Sequence, residues 1–215
     1  MLLYTMPSGT ERTKKVLTKA CELLRAGEVI YFPTDTLPGL LAWVSMEDAI
    51  GRVFRAKRRP RGVPLPIGVS GTGQLLEVLD IPGGVISALK DFIPGPLTIV
   101  GPARDDADLP EEVLKDGEVA VRVPGYPPLL EVLKEVSPLT LTSANLHDQE
   151  PLFTPREAMD ALGGEVKYYF VDYRHRYLRM PSTIIRLKKG SFEILREGAV
   201  DVKVLKERLH ERRDA

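Results

Sequence analysis

Four segments of the chain place hydroxyl, carboxamide or basic side chains in predicted loops next to predicted strands. They are PTDTLPGL at 33–40, KRRP at 57–60, TSAN at 142–145, and PST at 181–183 together with REGA at 196–199. Loops at strand ends are where the binding sites of α/β proteins usually lie. Basic side chains and hydroxyl groups are also common partners of phosphate. For each segment taken alone, the alternative is that its threonine, serine or asparagine side chains cap a turn.

The second of these segments lies in a strongly basic stretch. Residues 52–61 contain six bases and no acid, whereas residues 105–118 contain seven acids and one base. A further basic stretch covers 174–179. Charge runs are usually solvated surface. Pro60 and Gly62, however, interrupt any regular exposed helix at the end of the first run. We therefore expect a rigid, arginine-rich loop there that contacts phosphate or nucleic acid.

Several common nucleotide-binding and catalytic motifs are absent from the sequence. There is no G-x-x-x-x-G-K-[ST] phosphate loop, and no G-x-G-x-x-G motif follows a predicted strand. No serine occupies a G-x-S-x-G elbow. The three histidines are scattered without metal-ligand spacing, so no metal site is predicted. Cys21 lies on the apolar stripe of a predicted helix, which indicates a buried core thiol.

Helical and strand patterns alternate along the whole chain. We predict helices over 11–26, 47–55, 72–79, 83–92, 127–136, 155–162 and 201–212. We predict strands over 29–32, 40–44, 66–70, 97–100, 119–123, 139–142, 168–171, 183–187 and 192–195. This interleaving predicts an α/β fold with one twisted mixed sheet flanked by helices. Because no linker or repeat is visible, residues 1–215 are expected to form a single domain, with its core at 11–200.

Length and composition limit the classes of protein to which the chain could belong. The chain has 215 residues, of which 43% are hydrophobic and 28% charged, as in ordinary globular proteins. No apolar run approaches the roughly 18–20 residues that span a bilayer, and the N-terminus lacks a secretory signal pattern. The single cysteine excludes an internal disulfide. We expect a cytoplasmic protein without a membrane partner. Its net charge of zero argues against a polyanionic partner that binds through the charge of the whole molecule.

The ordered set of motifs resembles the YrdC/TsaC-type threonylcarbamoyl-AMP synthase family. That family has the pattern P-T-[DE]-T-x-Y-G-L, K-x-R-P with P-L, P-G-P-x-T, V-R-x-P, S-A-N, S-T-[IV] and L-R-x-G. The corresponding segments are PTDTLPGL at 33–40, KRRP at 57–60, PL at 64–65, PGPLT at 94–98, VRVP at 121–124, SAN at 143–145, STI at 182–184 and LREG at 195–198. The resemblance covers about 28–200, which is nearly the whole chain.

The resemblance implies a fold and an activity. Members of the family fold as a twisted mixed sheet with a concave, positively charged cleft. They convert L-threonine, bicarbonate and ATP into threonylcarbamoyl-AMP and pyrophosphate, and Mg²⁺ is expected with the ATP. A separate transferase complex uses the product for t6A modification of tRNA. Because the carbamate formed from threonine is already an anionic nucleophile, this chemistry needs alignment and charge neutralisation rather than a strong base.

The resemblance also implies roles for ten residues. Lys57 and Arg59, at the K-x-R positions, are expected to be catalytic by binding phosphate and stabilising the transition state. The expected threonine-binding residues are Thr34, Thr36, Arg122 and Ser182, with Arg122 on the carboxylate. The expected ATP-binding residues are Lys57, Arg59, Arg61, Ser143, Asn145 and Arg196. For Arg61 and its neighbour Arg58, contact with RNA and simple solvation are both open.

The chain departs from the family pattern at several positions. Pro38 replaces the usual tyrosine of T-x-Y-G-L, which changes one wall of the expected threonine pocket. The Ser-Gly pair that commonly follows S-A-N is replaced by residues 146–149. A bulky basic segment, 172–177, stands where the family tends to have a glycine-rich turn. With 215 residues the chain also has no room for the extra C-terminal domain of long members, so it is expected to be a short form.

Two other functions are compatible with these motifs. The first is a paralogue that binds tRNA, double-stranded RNA or a nucleotide without the synthase reaction. Pro38 and the basic 174–179 stretch favour that alternative. The second is a carbamoyl-adenylate enzyme that acts on a different acceptor, as in the related domain of hydrogenase-maturation carbamoyltransferases.

Overall fold

A computed structural model describes residues 1–188 and 191–210. Seven α-helices occur in this part of the chain: α1 Thr10–Arg25, α2 Glu47–Lys57, α3 Thr72–Val78, α4 Gly83–Ala88, α5 Pro127–Glu135, α6 Pro155–Leu162 and α7 Val202–His210. The twelve strands are β1 Leu2–Thr5, β2 Ile30–Phe32, β3 Gly39–Leu41, β4 Ile67–Gly68, β5 Leu97–Pro102, β6 Leu114–Lys115, β7 Glu118–Arg122, β8 Leu139–Thr140, β9 Thr142–Ser143, β10 Tyr168–Val171, β11 Thr183–Lys188 and β12 Ser191–Arg196.

The strands form two mixed sheets. The first sheet has the order β1-β10-β2-β3-β9, with β10 parallel to both β1 and β2. The second has the order β12-β11-β5-β7-β4-β8, and β6 pairs with β7 outside this path. Within the second sheet, β11 is parallel to β5 and β4 is parallel to β7, while the remaining pairs are antiparallel.

One short segment connects the two sheets. β8 pairs with β4 in the second sheet, whereas β9, only two residues further along the chain, pairs with β3 in the first sheet. Leu141 lies between β8 and β9, and its amide donates to the carbonyl of Pro66. The 142–145 segment therefore begins where the two sheets meet.

The core consists of two apolar clusters, which lie on opposite faces of β2 and are covered by helices. α1 and α5 pack against each other and contribute Ala20, Leu24, Leu129 and Leu133 to an apolar cluster with Phe32 of β2. A larger cluster on the other side contains buried residues of α2, α3 and α4 together with those of β5 and β7. Burying these apolar faces, at about 25 cal/mol per Å², is the dominant favourable term that holds the strand ends in place.

The predicted α/β fold, with mixed strands between helices, is confirmed. α1 contains the predicted buried Ala20 and Cys21 and ends before Gly27, whose φ is +76°. The strands divide between two sheets rather than one, because periodicity predicts a strand but not its partner. The predicted strand at 139–142 becomes β8 and β9 for the same reason.

Other boundaries differ in detail from the expectation. β1 and β6 lie outside the predicted strands; both are short, and most of their residues are exposed or only partly buried. α2 extends two residues beyond the expected end and therefore includes Lys57. The predicted helix at 83–92 is α4 followed by a short 3₁₀ turn at Lys90–Phe92. Residues 211–212 of the predicted last helix lie outside the described residues.

Candidate active site

A cleft of about 610 Å³ lies where the motif-bearing loops meet. Nine of the ten predicted site residues line it: Thr34, Thr36, Lys57, Arg59, Arg122, Ser143, Asn145, Ser182 and Arg196. These residues come from segments as far apart in sequence as 34 and 196, so only the tertiary fold brings them together. The volume is in the usual range for a small-molecule site.

The loop between β2 and β3 is held by its own threonine side chains. The Thr34 hydroxyl donates to the carbonyl of Leu37 at 2.6 Å and accepts from the amide of Thr36 at 3.1 Å. The two hydroxyl oxygens lie 3.2 Å apart, and both side chains are buried. Thr34 therefore both caps the turn and lines the cleft.

Arg122 lies at the end of β7 and is almost fully buried. Its Nε donates to the carbonyl of Gly95 at 2.9 Å, Nη1 to the Thr36 hydroxyl at 2.8 Å, and Nη2 to Asp35 Oδ1 at 2.6 Å. Burial lowers the pKa of Arg122, while the Asp35 carboxylate opposes that shift. Two of its five N–H groups have no partner among the described residues, which leaves donors for a carboxylate.

Lys57 is the last residue of α2 and is only 1% exposed. Its ammonium donates to the backbone carbonyls of Ser143 and Asn145 and lies 3.5 Å from the Asn145 side-chain oxygen. Burial, together with the nearby Arg59 guanidinium, lowers the pKa of Lys57 to about 7. The three acceptors match the three donors of an ammonium. In this structure, Lys57 therefore connects α2 to the segment after β9.

Arg59 holds the loop that follows α2. Its Nε and Nη2 donate to the carbonyls of Val63 at 2.9 Å and Pro64 at 2.8 Å, and Nη1 lies 3.3 Å from His147 Nδ1. Burial lowers the pKa of this guanidinium, and the charge of Asp148 opposes the change. The rigid arginine-bearing loop expected from Pro60 and Gly62 is thus present, and Arg59 itself stabilises it.

Ser182 and Arg196 form the opposite side of the cleft. Arg196, at the end of β12, donates through Nε and Nη2 to the Ser182 carbonyl and through Nη2 to the Ser182 hydroxyl. That hydroxyl also lies 2.8 Å from the Thr98 hydroxyl. Burial, and to a smaller extent the positive charge of Arg122, lowers the pKa of Arg196.

The structure places Arg61 away from the other predicted site residues. Arg61 does not line the cleft, its side chain is 70% exposed, and its Nη1 lies 3.6 Å from Glu112. The expected contact of Arg61 with ATP is therefore not supported. The 52–61 run also divides: Arg52 and Arg55 pair with Glu165 on another surface. Helical geometry explains the division: Arg52 and Arg55, three residues apart on α2, share one face, whereas Lys57, five residues beyond Arg52, points in a different direction, and residues 58–61 lie beyond the end of the helix.

Pro38 does not form a wall of the cleft. The lining at this corner comes from its neighbours Leu37 and Gly39, while the carbonyl of Pro38 accepts from the amide of Ala144 at 2.8 Å. Residue 38 therefore contacts the 142–145 segment through its backbone, and the predicted change in a wall of the cleft is not seen at Pro38 itself.

Several residues of the site are not among those predicted from the sequence. Asp35 pairs with Arg122, and Thr98 contacts Ser182. Both lie inside motifs noted above, PTDT and PGPLT, and their place in these motifs could have indicated that they belong to the site. Arg186 also lines the cleft and pairs with Glu118 at 2.9 Å, but it lies outside every motif.

Basic side chains outnumber acidic ones in the cleft lining. The basic residues are Lys57, Arg59, Lys115, Arg122, Arg186 and Arg196, and the acidic ones are Glu118 and Asp148. No group of three or more His, Cys, Asp or Glu side chains suited to a metal ion occurs within 1–188 and 191–210. The lining is thus suited to an anion rather than to a free cation.

The chain is similar to known proteins in both sequence and structure. The Sua5/YciO/YrdC family profile, described as "Telomere recombination", matches residues 22–198. Human threonylcarbamoyl-AMP synthase is 31% identical over 201 residues, which cover 86% of this chain and 67% of the human protein. The chain belongs to the Sua5/YciO/YrdC family. The resemblance inferred from the ordered motifs is thereby confirmed.

Solved structures of Sua5/YciO/YrdC proteins share the architecture. Pyrococcus abyssi Sua5, crystallised with L-threonine, superposes with a TM-score of 0.86 at 26% identity, covering 97% of this chain and 61% of that chain. E. coli YciO has a TM-score of 0.80 at 24% identity, covering 95% and 98% respectively, and shows the shared fold. The chain thus spans less than two thirds of the Pyrococcus protein. None of the described helices is long and apolar enough to cross a membrane.

Proposed function

We propose that this Sua5/YciO/YrdC protein is an L-threonylcarbamoyl-AMP synthase. The observation that carries the proposal is that nine motif residues, predicted separately from sequence, line one cleft rich in basic side chains. The name of the human relative and the threonine bound to Pyrococcus Sua5 support the same activity. ATP, L-threonine and bicarbonate are the substrates under this proposal.

The amino-acid substrate belongs at the Arg122 end of the cleft. The free N–H groups of Arg122 are suited to a carboxylate, and Thr34 and Thr36 line the same part of the cleft. Because Asp35 already neutralises part of the Arg122 charge, a zwitterionic amino acid fits this end better than a multiply charged anion.

The triphosphate is assigned to Arg59 and Arg196, which both line the cleft. The threonine amine first captures bicarbonate as a carbamate and releases water. A carbamate oxygen then forms a bond to the α-phosphorus of ATP while the bond to pyrophosphate breaks. Arg59 and Arg196 offset the charge that develops on the leaving pyrophosphate. Lys57 acts by holding the Ser143–Asn145 backbone beside the phosphates, since its donors are already engaged there.

Mg²⁺ is assigned to the nucleotide rather than to a protein site. The two acidic residues of the cleft lining do not form a cage, because Glu118 is paired with Arg186 and Asp148 is largely exposed. The ion would enter with ATP as part of the substrate.

The product would supply a tRNA-modifying step. Threonylcarbamoyl-AMP is a mixed anhydride, so a separate transferase complex can pass its threonylcarbamoyl group to tRNA as t6A. We also propose direct binding of tRNA or double-stranded RNA, based on the exposed Arg58 and Arg61 next to Arg59. A gel-shift titration at two salt concentrations tests it, since phosphate contacts weaken steeply with salt.

The direct test is turnover with all three substrates. We expect pyrophosphate release that requires L-threonine and bicarbonate, with threonylcarbamoyl-AMP identified by mass spectrometry. Release without threonine would instead indicate a different acceptor. No turnover combined with salt-sensitive RNA binding would indicate a non-catalytic paralogue.

A matched pair of arginine variants tests the assigned charge. Arg59→Lys keeps one donor for the loop carbonyls but loses the guanidinium fork, so kcat/KM should fall by about a hundredfold. Arg58→Lys changes the exposed neighbour and should leave turnover unchanged. Equal activity of the two variants would contradict the role of Arg59.

A further inference from the structure

The segment from Asp172 to Pro181, which we call the strap, leads from the end of β10 to the cleft residue Ser182. It contains no helix or strand and lies against the β2–β3 loop. Two hydrogen bonds reach the backbone of that loop. His175 Nε2 lies 2.7 Å from the carbonyl of Thr34, and the amide of Leu178 donates to the carbonyl of Asp35 at 3.0 Å. Since a carbonyl only accepts, Nε2 of His175 carries a proton.

His175 is itself held by aromatic neighbours. Its ring centroid lies 4.3 Å from that of the buried Tyr126 and 4.9 Å from that of Tyr177, which it meets edge-on. The Tyr126 hydroxyl donates to Asp172 at 3.1 Å, which fixes the start of the strap to the same framework. The imidazole therefore has a defined position relative to α5, whose N-cap is Tyr126.

The carbonyl that His175 binds belongs to the residue that organises the β2–β3 loop. Thr34 bonds to Leu37 and Thr36 through its hydroxyl, and Asp35 bonds to Arg122. Without the bond to its carbonyl, the peptide unit of Thr34 would no longer be fixed. The hydroxyl groups of Thr34 and Thr36, which line the cleft, would then lose their fixed positions as well. His175 does not line the cleft, so it can affect substrate only through this loop.

We propose that His175 is a positioning residue for the amino-acid end of the cleft: by binding the Thr34 carbonyl it sets the geometry of Thr34, Thr36 and Asp35. The inference rests on the proposed synthase function. Arg59 and Arg196, which are assigned to the triphosphate, donate to Val63, Pro64 and Ser182, none of which belongs to the strap.

The test compares two substitutions at one position and a neighbouring control. His175→Phe keeps a ring against Tyr126 but removes the donor, so KM for L-threonine should rise about three- to tenfold, the equivalent of one lost hydrogen bond. KM for ATP should change less than about twofold. His175→Gln places an amide donor in reach of the carbonyl and should restore part of the threonine affinity. Arg176→Ala, at an exposed neighbour, should match the wild type.

A second measurement separates this inference from the proposed function. L-threonine binding by calorimetry without ATP needs no turnover. If the wild type binds threonine but does not turn over, weaker binding by His175→Phe still supports the inference while the synthase proposal fails. Equal losses toward threonine and ATP, or no loss at all, would overturn the inference. Wild-type protein that binds no threonine would overturn both. A thermal melt of each variant shows whether it is folded. If His175→Phe does not fold, the comparison is made with His175→Gln instead.

Discussion

At the scale of single residues, Lys57 and Arg122 are the buried cations of the cleft. Each uses most of its donors on the protein itself: Lys57 on the 143–145 backbone, and Arg122 on Gly95, Thr36 and Asp35. Burying an unpaired charge costs several kcal/mol, so these partners are what allow the cations to stay inside. The same partners hold the donors in place before substrate arrives, which lowers the cost of binding.

The depressed pKa of Lys57 predicts a pH dependence of stability. The folded value is about 7 and the ordinary value is 10.5. Between these pH values the unfolded chain holds a proton that the folded protein has released, so stability rises with pH. The free energy of unfolding of the wild type, relative to Lys57→Met, should rise between pH 7 and about 10. The slope can reach at most about 1.4 kcal/mol per pH unit.

Urea unfolding at a series of pH values measures this difference. Below pH 7 both states are protonated, so the wild type and Lys57→Met should run parallel there. Parallel profiles over the whole range would show that the carbonyls of Ser143 and Asn145 keep the ammonium charged, and would contradict the depressed pKa.

At the scale of elements, the end of β12 packs against the segment that begins β11. Arg196 binds the carbonyl of Ser182, and the amide of Ala199 donates to the carbonyl of Pro181 at 2.9 Å. Gly198 lies between these contacts. A Cβ at Gly198 would clash with the Pro181 carbonyl oxygen and come within 2.6 Å of the Ser182 carbonyl carbon. The lack of space for a side chain thus explains the glycine of the L-R-x-G motif.

Gly198→Ala should therefore destabilise the protein and displace Ser182. We expect a loss of about 1–3 kcal/mol, since the contacts are with backbone that cannot move aside cheaply. The melting temperature should fall by about 2–4 °C for each kcal/mol. Gly73→Ala is the control, because a Cβ there meets nothing within 4 Å and Gly73 lies in α3. That variant should gain about 0.5–1 kcal/mol. Similar melting temperatures for both variants would rule out the steric explanation.

At the scale of the whole molecule, zero net charge conceals a basic cleft. Acids of the 105–118 segment pair with basic residues at the edge of the site: Glu112 with Arg61, and Glu118 with Arg186. Among the described residues, Lys57, Arg59 and Arg196 have no acid within ion-pair distance. The balance of charge is thus global, whereas the field at the cleft remains positive.

This distribution predicts that salt weakens ATP binding more than threonine binding. Raising NaCl from 50 to 500 mM should increase the Kd of ATP by roughly three- to tenfold, because the Debye length shortens across this range. The zwitterionic threonine should respond much less. Arg196→Gln should reduce the salt dependence for ATP, whereas Arg25→Gln, at a surface pair with Glu135, should not. Calorimetric titrations that show equal salt dependence for both ligands would contradict a locally positive cleft.

Sequence information alone predicts the α/β class, most element positions, the family, and nine residues, of the ten proposed, that meet in the cleft. These follow from local information, namely apolar periodicity and short ordered motifs. The tertiary structure alone decided that the strands form two sheets, that Asp35 neutralises Arg122, that Lys57 binds backbone carbonyls, and that Arg61 lies outside the cleft. Those outcomes depend on contacts between residues distant in sequence. A residue's type indicates which bonds it can form, but only the folded chain determines which partners come within reach.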